Sequence, residues 1–559
     1  PGPAPARPRE PLAPQTPSVP SMGRATAVLA FGTFASRITG FVRVLVIGYV
    51  LGVNVLSDAF NYANGVPNIM YDLLIGGILA ATLIPVFVDR LRDEDPREAS
   101  HAISAVLTAI AVALVAVSAL LWVAAPAVIH FYLLLSPKST GAEESALAIR
   151  LLRYFAPQVF FLGTTVATTA LLNARRRFGA AAFSPVLNNV VAIAALLATK
   201  VAAHHVLSQR GIGSSALLTQ FSRDSRAVMI LGVGTTLGYL VQLLAQLPAL
   251  HHLGLRLRPV WNPRHPAVRQ VAGLSSWLVG VVVANQASLA LVMILAGNSN
   301  EGGGLTAYQF GYQFFQLPYA LIAVSVASAI MPDLSEHYTA RKRVAFERQF
   351  VTGLRVSLAA LVPVALVYMV VARPFIQVAI HHGAVGQEGA HLVTVTLVYF
   401  AAGLPGFSAF FLLMRAFQAM QDARTMFRVY LIENLMTIVA APVLSPLLGV
   451  PGLALAWVGP YTIASLYAAA LLRRRVGSLG GWFTVRALIR ILVASIAAAA
   501  AAIAVGLPLR SVQGDALLLV RLVLQVGVAG AVYVYVGRFI GIRELRPILG
   551  MAARLTRRR

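Results

Sequence analysis

Long apolar stretches recur along the entire chain and are separated by short polar segments. Each stretch has roughly 20 or more residues, which is enough to cross a hydrocarbon core of about 30 Å. Because backbone groups in lipid must be hydrogen-bonded within their own segment, the pattern predicts helices. We expect an all-α polytopic membrane protein with fourteen spans, at residues 25–52, 58–88, 102–133, 147–173, 181–205, 227–250, 268–297, 304–335, 350–371, 389–420, 426–447, 451–472, 488–509 and 517–537.

The composition agrees with this prediction and narrows the chemistry. Hydrophobic residues make up 58% of the 559 residues and charged residues only 12%, too few to cover a soluble protein. The chain has no cysteine, which excludes disulfides, thiolate metal ligands and thiol nucleophiles. Residues 1–22 are rich in proline and lack the apolar core of a signal peptide, so we expect a disordered tail there.

The formal net charge of +25 raises the alternative of a nucleic-acid partner. Lysine and arginine are concentrated, however, in both terminal segments and in alternate loops, near residues 90–97, 175–177, 256–269, 341–348, 424–428 and 473–475. By the positive-inside rule these loops and both termini lie in the cytoplasm, which requires an even number of spans. Ordinary membrane topology therefore accounts for the charge, and we expect no nucleic-acid partner.

Two landmarks indicate an internal repeat. Pro67 corresponds to Pro318, and residues 171–190 correspond to 416–435, at nearly the same offset. Repeats with an even number of spans keep the same orientation, and a substrate cavity is expected between them near the midplane. We divide the chain into a cytoplasmic tail (1–22), a six-helix N-lobe (23–252), a six-helix C-lobe (253–475), and the last two spans with a basic cytoplasmic C-terminus (476–559).

Charged residues deep in a span are costly and are therefore candidates for a functional site. Arg37 and Arg43 lie in the first span about 120° apart on the helix, so they can line one wide cavity wall. Asp58, at the start of the second span, is either a cap of that helix or a functional acid. Asp72 lies roughly 21 Å and Arg37 roughly 22 Å from the outer end of their spans, so we hypothesise that the two residues pair.

Polar side chains in later spans extend the candidate site. Gln309, Gln313 and Gln316 share one helix face, where their amides bond to a neighbouring helix or contact a sugar- or peptide-bearing substrate. Glu433 lies roughly 15 Å into the eleventh span. It is a candidate site for a coupling ion or proton, or a partner for Arg415. The sequence leaves both pairs of alternatives open.

Several kinds of chemistry are missing from the sequence. The eleven histidines show no metal-ligand spacing, and we find no P-loop and no nucleophile motif. These observations argue against an ATP-driven pump and against an enzyme. We expect no metal and no cofactor, and a transport step driven by the membrane potential or by a coupling ion of unknown identity.

Five segments, in the same order along the chain, resemble a known family. They are SRITGFVR with the Asp-Ala-Phe and Pro-Asn that follow it (36–68), LNARRRFGAAAFSPVLNN (172–189), MPDLS (331–335), IHHGAV (380–385) and RAFQAMQDART (415–425). Together with fourteen predicted helices, they resemble the MurJ/MviN family of lipid II flippases. That family belongs to the multidrug/oligosaccharidyl-lipid/polysaccharide (MOP) exporter superfamily.

The resemblance implies two lobes around a cationic cavity and alternating access. The implied substrate is lipid II, the undecaprenyl-diphosphate-linked peptidoglycan precursor, which would move from the cytoplasmic to the outer leaflet of the inner membrane. The last two helices would form a groove for its polyprenyl tail. Besides lipid II, the implied partners are membrane lipids and proteins of cell-wall synthesis and division. The resemblance implies functional roles for Arg37, Arg43 and Asp58. With the polar residues of the spans, the candidate substrate-binding site contains Arg37, Arg43, Asp58, Asn68, Asp72, Gln309, Gln313 and Gln316.

The chain departs from the family pattern at several positions. Tyr71 and Asp72 follow Pro-Asn where many members have Arg-Arg, Val44 replaces an acidic residue, and Gln313 stands where arginine is expected. The cavity is therefore expected to hold fewer fixed positive charges. The variant resembles an actinobacterial branch, whose members often continue into a cytoplasmic pseudokinase-like region. The remaining alternatives are a flippase for another polyprenyl-linked glycan, a drug exporter on the same fold, and a cell-wall scaffold without transport.

Overall fold

The chain folds into α-helices, with no strand in the described residues. A computed structural model describes residues 22–71, 79–93, 95–134, 142–175, 177–207, 209, 213–297, 302–509 and 514–545. The helices are α1 (Met22–Leu51), α2 (Val55–Tyr71), α3 (Leu79–Asp93), α4 (Pro96–Leu134), α5 (Ala142–Phe155), α6 (Pro157–Ala174), α7 (Phe178–Ala202), α8 (His204–Leu207), α9 (Ser214–Arg223), α10 (Ser225–Leu244), α11 (Leu247–His251), α12 (Pro266–Gly297), α13 (Gly304–Thr339), α14 (Arg343–Ile380), α15 (Gln387–Ala402), α16 (Leu404–Ala419), α17 (Ala423–Val476), α18 (Gly481–Gly506) and α19 (Asp515–Phe539). The predicted all-α class is confirmed.

Among the described residues, ten helices are long and apolar enough to cross a membrane, or eleven if α15 and α16 form one bent span. The protein is therefore a multi-pass membrane protein, while the count of fourteen spans stays a prediction. Part of the difference lies in α17, whose 54 residues would extend roughly 81 Å, more than twice the thickness of a hydrocarbon core. Its backbone leaves the helical conformation at Gly449 (φ 64°, ψ −143°). The two arms of α17 correspond to the predicted spans 426–447 and 451–472.

Proline and glycine explain where other predicted spans are broken. Pro157 opens α6 directly after α5, at a position where its missing N–H costs nothing. Gly403 separates α15 from α16, and the two helices are bent by 48°. A Cβ added at Gly403 would lie 2.1 Å from Cβ of Val458, so this bend can pack on α17 only with glycine.

The helices of each half of the chain pack mainly on one another. In the first half α1 packs on α7, α7 on α10, α4 on α6 and α2 on α5. In the second half α13, α14, α16 and α17 form a bundle, and α18 and α19 pack on α14. The halves meet where α1 contacts α14 and α2 contacts α13, and through α12, which contacts α3 and α4 as well as α17. The exact domain boundaries stay a prediction.

The bundle has two chemically different ends. The glycine-rich end contains the turn between α1 and α2, the start of α13 and the turn 381–386, and it includes Gly52, Gly303 and Gly383 with positive φ. The arginine-rich end contains the turns around 341–343 and 473–475 and the turn after α19. At the glycine-rich end α9, for which the sequence predicted no element, packs against α2 and α5.

Candidate functional site

The carboxylate of Asp58 lies at the contact between the two halves and is only 3% exposed. One of its oxygens accepts a hydrogen bond from the backbone N–H of Gly303 at 2.8 Å. The other accepts from the backbone N–H and the hydroxyl of Thr306, at 2.8 and 2.7 Å. The amide of Asn61 donates to the same hydroxyl at 2.8 Å. Side chains of α2 therefore hold the first turn of α13.

This arrangement makes Asp58 the cap of a helix other than its own. The first backbone N–H groups of a helix have no partner within the helix, and an anion there also complements the helix dipole. The start of α2 is capped instead by Asn54, whose side-chain oxygen accepts from the backbone N–H groups of Leu56 and Ser57 at 2.9 and 3.3 Å. The alternative that Asp58 caps its own helix is therefore wrong, and in this structure α13 occupies its oxygens.

One face of α1 contacts α13 at two described places. A Cβ added at Gly48 would lie 3.1 Å from the ring of Phe310. Further along, the ring of Phe41 packs edge-on against that of Phe314, with centroids 5.7 Å apart. Arg37 lies on the same face, four residues before Phe41, and its side chain is exposed. The two halves are thus joined at the glycine-rich end, and beyond the Phe41–Phe314 contact the side chain of Arg37 is exposed.

Two cations from opposite halves approach this region. Arg37 from α1 and Arg415 from α16 are both close enough to Tyr319 of α13 to act on it electrostatically. The guanidinium of Arg415 lies 4.8 Å from the centroid of the Phe411 ring and donates to the side-chain oxygen of Gln418 at 2.7 Å. Each half therefore contributes one arginine near Tyr319.

Arg43 occupies a different environment from Arg37. It lies about 120° further round α1, and its side chain is half-buried. Its Nε is buried and has no hydrogen-bond partner within the described residues. A buried donor without an acceptor is costly. Of the two arginines of α1, Arg37 is the more exposed.

The glutamines of α13 are half-buried at positions Gln309, Gln313 and Gln316. Their amides make no hydrogen bond within the described part of the chain. This disfavours the alternative in which they bond to a neighbouring helix. Asn68, in contrast, donates to the carbonyl of Asn64 within α2 at 2.8 Å.

Asp72 lies outside the described residues. The hypothesis that it pairs with Arg37 therefore stays a prediction.

The predicted pair of Glu433 with Arg415 is wrong. Glu433 is 1% exposed and accepts hydrogen bonds from the Asn434 amide at 3.0 Å and the Thr437 hydroxyl at 3.2 Å. No cationic side chain pairs with it among the residues that the structure describes. Because an unpaired buried carboxylate is costly, this position would be stabilised by a proton or a small cation.

An apolar groove of about 590 Å³ lies between α13, α14, α18 and α19. Its walls include Leu321 of α13, Pro363 and Val367 of α14, and Val526 of α19. Almost all of its lining side chains are apolar, with Tyr533 among the few exceptions. The hydroxyl of Tyr533 donates to a backbone carbonyl of α14, so its polar atom is satisfied. The groove can therefore hold a long apolar chain.

Thr306, Asn61 and Tyr319 belong to this region, but nothing in the sequence marks them as site residues. Thr306 follows the glycines 302–304 at the start of the eighth span, which signals a turn but not its contact with α2. Tyr319 lies in an aromatic-rich stretch typical of any buried helix. Their roles depend on contacts between the halves, and a single sequence carries no direct signal of such contacts.

Comparisons with known proteins match most of the chain to one family. The model of the family described as "Lipid II flippase MurJ" matches residues 47–524. The lipid II flippase MurJ of Burkholderia cenocepacia is 25% identical over 437 residues, which cover 77% of this chain and 80% of the relative. The probable lipid II flippase MurJ of Vibrio cholerae is 25% identical over 430 residues, covering 76% and 78% of the two chains.

Solved structures show a similar fold. A lipid II flippase MurJ in an inward closed conformation has a TM-score of 0.74 at 18% identity, covering 93% of this chain and 100% of that chain. An inward-facing MATE multidrug resistance transporter of the MOP superfamily has a TM-score of 0.63 at 14% identity, covering 81% and 98%. At these identities the similarity shows the fold alone. The prediction of a MOP-type fold is confirmed.

Proposed function

Because the chain belongs to the lipid II flippase MurJ family, we propose that it moves lipid II from the cytoplasmic to the outer leaflet of the inner membrane by alternating access. The observation that carries this proposal is the contrast between two charged residues. Asp58 is buried and joins the halves at the glycine-rich end, whereas the side chain of Arg37 is exposed. A polar headgroup can therefore reach Arg37 from the arginine-rich side. Moving a lipid between leaflets makes and breaks no covalent bond, so transport needs no chemical step.

The diphosphate is the part of lipid II that most needs protein partners, because charge is costly within a membrane. Arg37 supplies a guanidinium whose planar fork matches phosphate oxygens. Arg43 offers a donor without a partner, and Arg415 brings charge from the opposite wall. The unbonded amides of the three glutamines on α13 suit the hydroxyl and amide groups of a sugar-peptide headgroup.

The apolar groove between α13, α14, α18 and α19 suits the undecaprenyl tail. A chain that leaves lipid for this groove gains little hydrophobic energy, since lipid tails are equally apolar. The groove would instead fix the position of the tail while the headgroup moves. This favours a lipid substrate over a small drug.

The positive-inside rule gives the orientation. The arginine-rich end, with Arg341, Arg343 and Arg474, would lie in the cytoplasm. Trp482 and Phe483 at the start of α18 are 69% and 77% exposed, as expected for aromatic anchors at the headgroup level. The closed glycine-rich end then faces outward, and this conformation loads from the cytoplasm. Proteins of cell-wall synthesis and division remain predicted partners.

Glu433 is our candidate for coupling transport to an ion. Its carboxyl is buried, and no cation of the described part of the chain pairs with it, so a proton or a small cation would neutralise it. Glu433→Gln should keep the shape and remove the charge, so transport should no longer respond to an imposed ion or proton gradient in proteoliposomes. The exposed Glu336→Gln is the control. A gradient response that survives in Glu433→Gln would exclude this residue as the coupling site.

The test of the main proposal is Arg37→Ala. We expect the appearance of lipid II in the outer leaflet to stop, while the variant still inserts at the normal level. Arg424→Ala removes an exposed arginine at the start of α17 and should leave transport unchanged. Normal translocation by Arg37→Ala would reject the site. If the protein translocates another polyprenyl-linked glycan as efficiently as lipid II, the assignment of lipid II as its substrate is wrong.

A further inference from the structure

A basic pocket of about 710 Å³ lies at the arginine-rich end, between α18 and the turn that follows α19. Three arginines line it, Arg490, Arg538 and Arg543. Leu545 lines this pocket and also the apolar groove described above. A cationic space and an apolar space are therefore neighbours that share a wall residue.

Among the residues that the structure describes, the positive charges of this pocket have no anionic partner. Arg538 and Arg543 are exposed and Arg490 is half-buried. None of the three forms an ion pair within the described part of the chain, although Glu544 is adjacent in sequence. Arg490 donates one long hydrogen bond, to the carbonyl of Gly541 at 3.4 Å. The pocket thus carries three charges that no described side chain neutralises.

The three arginines meet at the cytoplasmic end of the last two helices. Basic residues gather at cytoplasmic helix ends, which is the position of Arg538 and Arg543. Arg490 lies in the third turn of α18, which begins at Gly481. Its side chain turns back towards the end of α19 and lines the pocket there.

We propose that the basic pocket and the apolar groove together form a loading site for the lipid substrate in the cytoplasmic leaflet. Arg490, Arg538 and Arg543 bind the diphosphate while the polyprenyl chain occupies the groove. An amphiphile with a phosphate head and a long apolar tail matches both the charge of the pocket and the lining of the groove. This inference rests on the proposed function and adds a binding step before the headgroup reaches Arg37.

Binding of the tail in the groove would assist the later binding of the headgroup. With its tail held in the groove, the substrate presents its headgroup to the cleft at a raised effective concentration. Binding at the loading site then sets the half-saturating substrate concentration, whereas Arg37 sets the rate at which the headgroup is translocated. The two sites should therefore affect different kinetic quantities.

The test replaces the three pocket arginines by glutamine (Arg490→Gln, Arg538→Gln and Arg543→Gln together). In proteoliposomes the half-saturating lipid II concentration should rise at least about tenfold, because charge-assisted bonds are lost, with little change in maximal rate. In phosphatidylcholine nanodiscs, binding of undecaprenyl diphosphate should weaken while binding of neutral undecaprenol is unchanged. A control set removes the same charge from exposed positions, Lys342→Gln, Arg424→Gln and Arg428→Gln, and should resemble the wild type.

The outcomes separate the two proposals. If the wild-type protein moves no lipid II, the proposed function fails. If it does, and the glutamine variant keeps the wild-type half-saturating concentration, the loading site is refuted. A lysine variant at the same three positions should recover binding, and its failure to do so would show that charge is not the cause. Displacement of undecaprenyl diphosphate by equimolar inorganic pyrophosphate would refute the joint use of pocket and groove.

Discussion

Asp58→Asn should open the glycine-rich end. The carboxylate of Asp58 accepts hydrogen bonds from two backbone N–H groups and one hydroxyl at the start of α13. Asparagine keeps one acceptor oxygen but loses the charge, and its NH₂ group cannot accept from Gly303 or Thr306. Because these bonds join the two halves, their loss should favour separation of the halves at this end.

The size of the effect follows from the bonds that change. A hydrogen bond to a charged group contributes about 1.5–3 kcal/mol, and a neutral one about 0.5–1.5 kcal/mol. Losing one charged bond and weakening the others costs about 2 kcal/mol net, and the helix dipole adds up to about 1 kcal/mol. Since 1.4 kcal/mol corresponds to a factor of ten, the equilibrium between closed and open should shift about 30- to 140-fold.

The absence of cysteine from the chain provides a clean assay. Ala307 lies in the first turn of α13 and is 0% exposed. In an Ala307→Cys variant, a membrane-impermeant maleimide added from outside should react only when this end opens. Asp58→Asn should raise the labelling rate. The matched control is Asp224→Asn, because Asp224 caps α10 by accepting from the backbone N–H of Ala227 at 3.0 Å, within one half.

Equal labelling rates in the Asp58→Asn and Asp224→Asn backgrounds would refute this reasoning. They would show that the cap on α13 does not hold the two halves together. An increased rate should be accompanied by slower transport, since the conformation that loads from the cytoplasm is then less populated.

Further predictions concern the same end, the arginine-rich end and the cleft. Gly303→Ala should also raise the labelling rate, because Gly303 has φ 82° and an added Cβ would lie 2.7 Å from the backbone before α2. In the double variant with Asp58→Asn, Gly303→Ala should raise the labelling rate little further. Burial raises the pKa of Asp422, but hydrogen bonds from the first turn of α17 and from Arg475 lower it more, so the pKa lies below its ordinary value of 3.8. A lowered pKa stabilises the fold above the unfolded-state pKa, so the Tm advantage over Asp422→Asn should persist from neutral pH and shrink only below about pH 4. Gln313→Arg should tighten undecaprenyl diphosphate binding several-fold in nanodiscs, because it adds charge-assisted donors at a half-buried amide that has no bond in the described residues.

The helices were predictable because each one carries its own signal in hydropathy. Their breaks were harder to predict. Gly403 looks like an ordinary glycine in an apolar run, and its role depends on the approach of Val458 from α17. The kink at Gly449 lies between Pro446 and Pro451, which did mark the boundary between two predicted spans.

A site residue was predictable where its charge within a membrane span is costly by itself. It was not predictable where its role depends on the partner that it contacts. Arg37 was identified because a cation inside a span is expensive. The partners of Asp58 are largely backbone N–H groups, which leave no mark in a sequence. The sequence allowed Glu433 to pair with Arg415, because positions along a chain do not specify the direction of a side chain. In the structure Arg415 bonds to Gln418 and Glu433 bonds to Asn434.

The two kinds of charge in this protein imply how the halves must move. At the glycine-rich end the carboxylate of Asp58 is fully bonded, which holds the halves together there. The side chain of Arg37 is exposed, and none of the described anionic side chains pairs with it. If the halves move as rigid bodies, they close on a diphosphate at Arg37 only by separating at the other end, so binding of the diphosphate must offset the cost of breaking the cap. Breaking three hydrogen bonds to a charged group costs about 4.5–9 kcal/mol, which a similar number of charge-assisted bonds to a diphosphate can supply. The substrate itself would thus open the outer end, and an empty carrier would stay closed there.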